Sequence, residues 1–207
     1  TQTGEWWTVL FVDSGPLGRF PSLQPVSWVD GWPVAGVDGR GVITYKKPDV
    51  GKIYPEKQFP TSDDFGGTSL GMQWGWNHNP DPEKWSLTQR SGYLRLITGK
   101  VVKTLTEAPN MLTQRPFAHY DHDIPTIGTT KVEVVSMKDG DVGGLAVFQD
   151  PYAYIAIKQE KGSRNIIMVN NGELIASVPS ESDTVYLRAI LSNRTEEAIF
   201  EYSYDNK

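Results

Sequence analysis

Glycine and proline punctuate this chain so often that they decide what can fit between them. Twenty Gly and fourteen Pro occur in 207 residues, and no window shows a sustained apolar pattern at helical spacing. Gly costs about 1 kcal/mol and Pro about 3 kcal/mol in a helix interior, so these residues interrupt most candidate helices. What lies between them alternates with period two. Val185, Leu187, Ala189 and Leu191 alternate with Tyr186, Arg188 and Ile190, and Ala198, Phe200, Tyr202 and Tyr204 alternate with Ile199, Glu201 and Ser203. That is the pattern of strands with one buried face. Short runs rich in β-branched and aromatic residues at 144–149, 152–159, 164–170 and 173–178 predict further strands, and Asn171-Gly172 is a hairpin turn signal. The expected class is all-β, with a sandwich in the second part of the chain.

The first part reads differently. Strands are predicted at 5–12, 24–29, 32–37 and 41–45, separated by the turn signals Ser14-Gly15-Pro16, Asp30-Gly31 and Asp38-Gly39. Four antiparallel strands make one propeller blade or the edge of a larger sheet. From 46 to 62, Lys46-Lys47-Pro48, Tyr54-Pro55 and Phe59-Pro60 place three Pro in a polar stretch with little alternation, which reads as an extended linker with a boundary near 61–64. All seven Trp lie at or before Trp85, so the two ends of the chain are expected to belong to different structural units.

Composition removes several functions. Hydrophobic residues make up 38% and charged ones 22%, which is ample for a packed core. A net charge of −5 and the absence of any Lys/Arg block argue against a phosphate-tracking nucleic-acid binder. No apolar run is long enough to span a bilayer as a helix, so no membrane partner is expected. With no Cys there are no disulfides, thiolate metal sites or Cys nucleophiles, although this leaves the compartment open. The sequence starts abruptly at Thr1, five positions before the apolar stretch that opens at Trp6, and we expect a longer chain to have been cut there.

Candidate chemistry is sparse. Asp63-Asp64 is a conspicuous acidic pair, but adjacent residues of an extended chain point to opposite faces, so a turn or cap competes with catalysis. Glu5, Asp13, Asp30 and Asp38 fall in predicted turns and have no recognisable partner in the sequence. His119-Tyr120-Asp121-His122 is the most metal-like cluster, yet its spacing fits neither a helical i, i+4 pair nor a strand i, i+2 pair. No metal or other cofactor is expected. There is no Gly-x-Ser-x-Gly elbow, and Asn193-Arg194-Thr195 is a sequon too short to weigh. Trp74 and Trp76 alternate with Gln73, Gly75 and Asn77, which puts both indoles on one strand face. They suit either core packing or a platform for stacking on sugar rings.

Four separated motifs carry a resemblance. Asp64-Phe65, then Gly71-Met72-Gln73-Trp74-Gly75-Trp76-Asn77-His78-Asn79-Pro80 and the stretch from Trp85 to Leu96, followed by Asn110-Met111-Leu112-Thr113-Gln114-Arg115 and the run from Met137 to Leu145, together resemble the C-terminal sandwich of glycoside hydrolase family 43. Upstream, Gly4-Glu5-Trp6-Trp7, Gly15-Pro16-Leu17-Gly18-Arg19 and the run from Gln24 to Pro33 resemble the closing segment of that family's catalytic five-bladed β-propeller. The resemblance implies closing propeller strands over 1–46, a linker over 47–62 and a jelly-roll, concanavalin A-like β-sandwich over 63–207, truncated at its C-terminal end. It further implies an inverting hydrolase of β-xylosides or α-L-arabinofuranosides, with its catalytic carboxylates outside this chain, so that none of the catalytic residues is expected here.

Its partners would be a hemicellulose-derived oligosaccharide and the N-terminal catalytic segment of the same protein, with oligomers left open. A secreted or periplasmic location is implied, with the cytoplasm as the alternative. Arg19 matches an Arg that in many members reaches the sugar, a role suited to the fixed fork of a guanidinium. Its other reading is a brace for the closing blade. Phe20 departs from relatives that carry an acidic residue there.

Overall fold

The computed structural model describes residues 1–13, 18–116, 123–192 and 194–207. Within them the chain divides into two compact units, Thr1–Phe59 and Pro60–Lys207. The Ser14-Gly15-Pro16 turn, the His119 to His122 cluster and Asn193 of the sequon lie outside the described residues.

In the first unit β1 (Trp6–Asp13), β2 (Arg19–Val29) and β3 (Trp32–Ala35) form an antiparallel sheet in that order. Asp30 and Gly31 join β2 to β3 with φ of 50° and 81° between the paired residues Val29 and Trp32. Positive φ at both positions makes this a type I′ turn, whose twist matches the strands it connects.

The strand predicted at 41–45 does not form. After β3 the chain makes only a single bridge between Val37 and Arg40. The side chain of Gln24, 5% exposed, then takes over the pairing of Val42. Its Nε2 donates to the Val42 carbonyl at 3.0 Å, and the Val42 N–H donates to its Oε1 at 2.8 Å. A side-chain amide has the donor and acceptor of a peptide group, so Gln24 pairs with Val42 as a residue of a neighbouring strand would.

Both faces of this sheet are apolar and open. Leu10 and Val12 are exposed on one side of β1, Val9 and Phe11 on the other, and Trp28 and Trp32 are at least half exposed as well. An antiparallel sheet with one side in water shows polar residues on that side. Here neither side has that character.

The second unit is the sandwich. One sheet is a meander of β9 (Val142–Val147), β10 (Ala153–Glu160), β11 (Ser163–Asn170) and β12 (Glu173–Pro179), while the other has β13 (Thr184–Leu191) between β14 (Ala198–Ser203) and β8 (Thr126–Glu133). Every neighbouring pair is antiparallel. Val134, Ile155, Ile157, Ile166, Val185 and Leu187 pack into one buried cluster, joined by Val132, Met137, Leu145 and Phe200. The alternation in β13 is thus explained, since Val185, Leu187 and Ala189 are buried and Tyr186, Arg188 and Ile190 are not. Asn171-Gly172 forms the predicted hairpin turn, and Lys161-Gly162 forms a second of the same kind, with φ of 51° and 73°.

Two short pairs precede the sandwich in the chain. β4 (Trp74–Trp76) pairs with β7 (Leu112–Gln114), and β5 (Trp85–Ser86) pairs with β6 (Arg95–Leu96).

Candidate functional site

The meander has a second face, turned away from the core just described, and its shape follows from register. Ala156 pairs with Gly144 on one side and Ile167 on the other, and Ile167 pairs with Ser177. These four form one row crossing all four strands, and of them Ile167 and Ser177 line a groove on this face. A Cβ on Gly144 would lie 2.2 Å from the Ile155 carbonyl oxygen and 2.6 Å from the Ala156 Cβ, so this position of the row admits no side chain.

Larger side chains flank this row. On one side stands Tyr154, beside Val169 and Leu174; on the other stand Lys158 and Asn165, with Glu160 beyond. Lys158 lies four positions beyond Tyr154 along β10, which sets the walls about 13 Å apart. The resulting groove has a volume of about 330 Å³. That is at the lower end of small-molecule sites. Ala156, Ile167 and Val169 are buried in its base with Tyr154 packed against them, and burial raises the pKa of the Tyr154 phenol. Lys158 and Glu160 pair at 3.1 Å, so the rim charges cancel locally.

Trp74 and Trp76 lie on β4, each half-buried and each against another ring. Trp74 faces Phe65 with centroids 5.6 Å apart, and Trp76 faces Trp85 at 5.2 Å. The Trp74 indole N–H donates to Asp63 Oδ2 at 2.7 Å. Asp63 Oδ1 accepts from the Phe65 N–H, and Asp64 Oδ1 accepts from the Gly66 N–H, so the two acids cap successive tight turns. Of the alternatives read from the sequence, the acidic pair takes the turn-forming one.

Arg19 opens β2. Its Nε lies 3.6 Å from Asp13 Oδ2, and its guanidinium sits 5.2 Å over the Phe11 ring. The ion pair involves Nε, which leaves the terminal amino groups of the fork outside that pair. Both partners are well exposed, a setting in which such a pair contributes little stability.

Two clusters were invisible in the sequence. Glu5, expected to lack a partner, accepts from Lys46 Nζ at 2.8 Å, the Asp49 N–H at 2.7 Å and the Trp7 indole at 3.2 Å. Led by the Lys46 contact, these hold its pKa down to about 2. In the second unit Glu133 receives both amino groups of Arg90, the second at 2.9 Å, and the Arg90 guanidinium lies 3.9 Å over the Tyr93 ring. The Tyr93 hydroxyl accepts from Lys131 at 3.1 Å. Hydrogen bonding from Arg90, then Tyr93, lowers the Glu133 pKa. Among the described residues no group of three or more His, Cys, Asp or Glu is arranged to hold a metal ion.

Comparison with known proteins places this geometry. The family model described as the beta xylosidase C-terminal concanavalin A-like domain matches residues 62–207. A beta-xylosidase of Formosa agariphila is 35% identical over 98% of this chain and 38% of its own length. A non-reducing end alpha-L-arabinofuranosidase of Bacteroides ovatus is 30% identical over 80% of this chain and 32% of its own length. Among solved structures, a bifunctional GH43-CE protein of Bacteroides eggerthii superimposes with a TM-score of 0.87 at 39% identity, over 100% of this chain and 27% of that one. The chain therefore spans between 27% and 38% of the length of these three relatives.

Proposed function

The chain belongs to glycoside hydrolase family 43, through its C-terminal concanavalin A-like domain, and from that premise we propose that it forms the C-terminal portion of a glycosidase acting on β-xylosides or α-L-arabinofuranosides of plant hemicellulose. The observation that carries this reading is the sheet of β1, β2 and β3, apolar on both faces. A propeller blade stacks against a neighbour on each side, and a blade-like sheet with two apolar faces has the character of one blade in such a ring. The remaining blades, with the catalytic carboxylates, would belong to the longer protein.

In that protein one carboxylic acid protonates the leaving glycosidic oxygen while a second carboxylate activates water on the opposite face of the sugar. The two stand roughly 6.5–9.5 Å apart, which leaves room for that water and inverts the anomeric centre. Arg19 would direct its terminal amino groups at sugar hydroxyls. A secreted or periplasmic location fits a polymeric plant substrate.

The test is direct. The 207-residue chain should show no turnover of aryl β-xyloside or aryl α-arabinofuranoside above background, while the longer protein should release pentose with inverted anomeric configuration, followed by proton NMR. Turnover by the isolated chain would overturn the placement of the acids elsewhere. Retention of configuration would overturn the mechanism.

A second reading makes the sandwich a non-catalytic module that binds carbohydrate or stabilises the propeller. The ring contacts of Trp74 and Trp76 favour the stabilising form at those two residues.

A further inference from the structure

We propose that the outer groove of the β9–β12 sheet is a binding site for a neutral xylo-oligosaccharide, formed by other residues than the Trp74 and Trp76 pair. The choice of a pentose-built ligand rests on the function proposed above. The existence and polarity of the groove do not.

Three properties of the groove select the ligand. Val142, Ile167, Val169 and Leu174 give its lining an apolar surface, so it accepts the flat, C–H-rich face of a pyranose ring. Tyr154 stands as an aromatic wall on one side, and such rings favour contact with apolar faces while keeping a polar tip. Opposite it, Asn165 offers both donor and acceptor groups, and Lys158 and Glu160 add one donor and one acceptor more.

Charge excludes the main competitors. Because Lys158 and Glu160 form their own pair, the rim presents no net charge to a ligand. A phosphate, an acidic polysaccharide or a nucleic acid would meet no surplus of positive charge there. A hydroxyl-bearing neutral chain uses donors and acceptors in equal measure. The open form of the groove, crossing four strands spaced about 4.8 Å apart, suits a short chain rather than a single enclosed ring.

The test uses the whole 207-residue chain and xylotriose and xylotetraose as probes. Calorimetric titration should detect binding, and methyl NMR should place the shifts at Ile167, Val169 and Leu174. Asn165→Ala should weaken binding roughly threefold to tenfold, the loss of one hydrogen bond. Ser177→Gln, at an exposed position of β12, should fill one end of the groove and weaken binding at least as much, with an unchanged melting temperature.

Absence of binding to both probes overturns the proposal. So does binding that both variants leave intact, or shifts confined to the neighbourhood of Trp74 and Trp76. Tighter binding of inorganic phosphate or of oligogalacturonate overturns the neutral-ligand assignment. None of these measurements involves turnover, so loss of the catalytic reading and loss of the groove are separately visible.

Discussion

Glu5 and Lys46, separated by most of the first unit's length, meet at 2.8 Å, and the same carboxylate also accepts from the Asp49 backbone and the Trp7 indole. The contact pins the segment after the sheet back onto the start of β1.

This contact gives the protein an acid limb. The Glu5 carboxyl titrates near 2 in the folded chain against an ordinary 4.5. Its contribution is therefore fully present above about pH 4.5 and is lost as pH falls towards 2. Thermal unfolding followed by Trp fluorescence should show the first unit weakening over that interval. Glu5→Gln should lower stability at pH 7 and flatten the acid limb. Because Lys46 is largely exposed, added salt should shrink the difference between the two proteins.

Gln24 offers a sharper test of the first unit. Replacing it with Leu keeps the volume but leaves the Val42 N–H and carbonyl without their partner. The expected loss is about 1 kcal/mol, the net worth of a hydrogen bond between partly buried groups, with hydrogen exchange at Val42 accelerated. Unchanged exchange at Val42 would contradict the strand-surrogate role.

For the aromatic pair, Asp63→Ala removes the acceptor of the Trp74 indole and of the Phe65 N–H. A destabilisation of about 1.5–3 kcal/mol is expected for bonds to a charged group. Trp74→Ala should likewise reduce stability while leaving xylo-oligosaccharide affinity unaltered. The opposite result, intact stability with lost affinity, would make Trp74 a sugar platform.

Core and turn positions of the sandwich respond in opposite directions. Ile157 is fully buried, and Ile157→Ala should cost about 2–5 kcal/mol by denaturant titration. Lys161 holds φ of 51° in a type I′ turn that favours Asn. Lys161→Asn should stabilise by up to about 1 kcal/mol, a gain that comes from relieving a backbone conformation Lys resists.

What the sequence discloses depends on how far a signal must travel. β13 is legible because its apolar residues face one core with strict alternation, and Asn171-Gly172 declares its own turn. β8 is not legible: Thr126, Gly128, Thr129, Thr130 and Lys131 carry little alternation, and its partner β13 lies far along the chain. The strand expected at 41–45 failed because a side chain of β2 supplies its hydrogen bonds, a substitution that periodicity cannot reveal. Lys161-Gly162 carries Lys where Asn or Asp is usual, which hides the turn. Glu5 and Glu133 each take their ion-pair partner from a distant segment. The outer groove was hidden more deeply, since its lining exists only once four strands have found their registers.

Strands β9 to β12 follow one another in the chain and in the sheet alike, whereas Glu133 and Thr184 must close the entire intervening segment before they pair. Closing that loop costs entropy before any contact repays it, so short-range pairing has the faster route. The meander is accordingly where folding of the sandwich should start, with the sheet of β8, β13 and β14 adding to an apolar surface already in place. Changes in the Lys161-Gly162 turn should then act mainly on the folding rate, and changes in β14 mainly on the rate of unfolding.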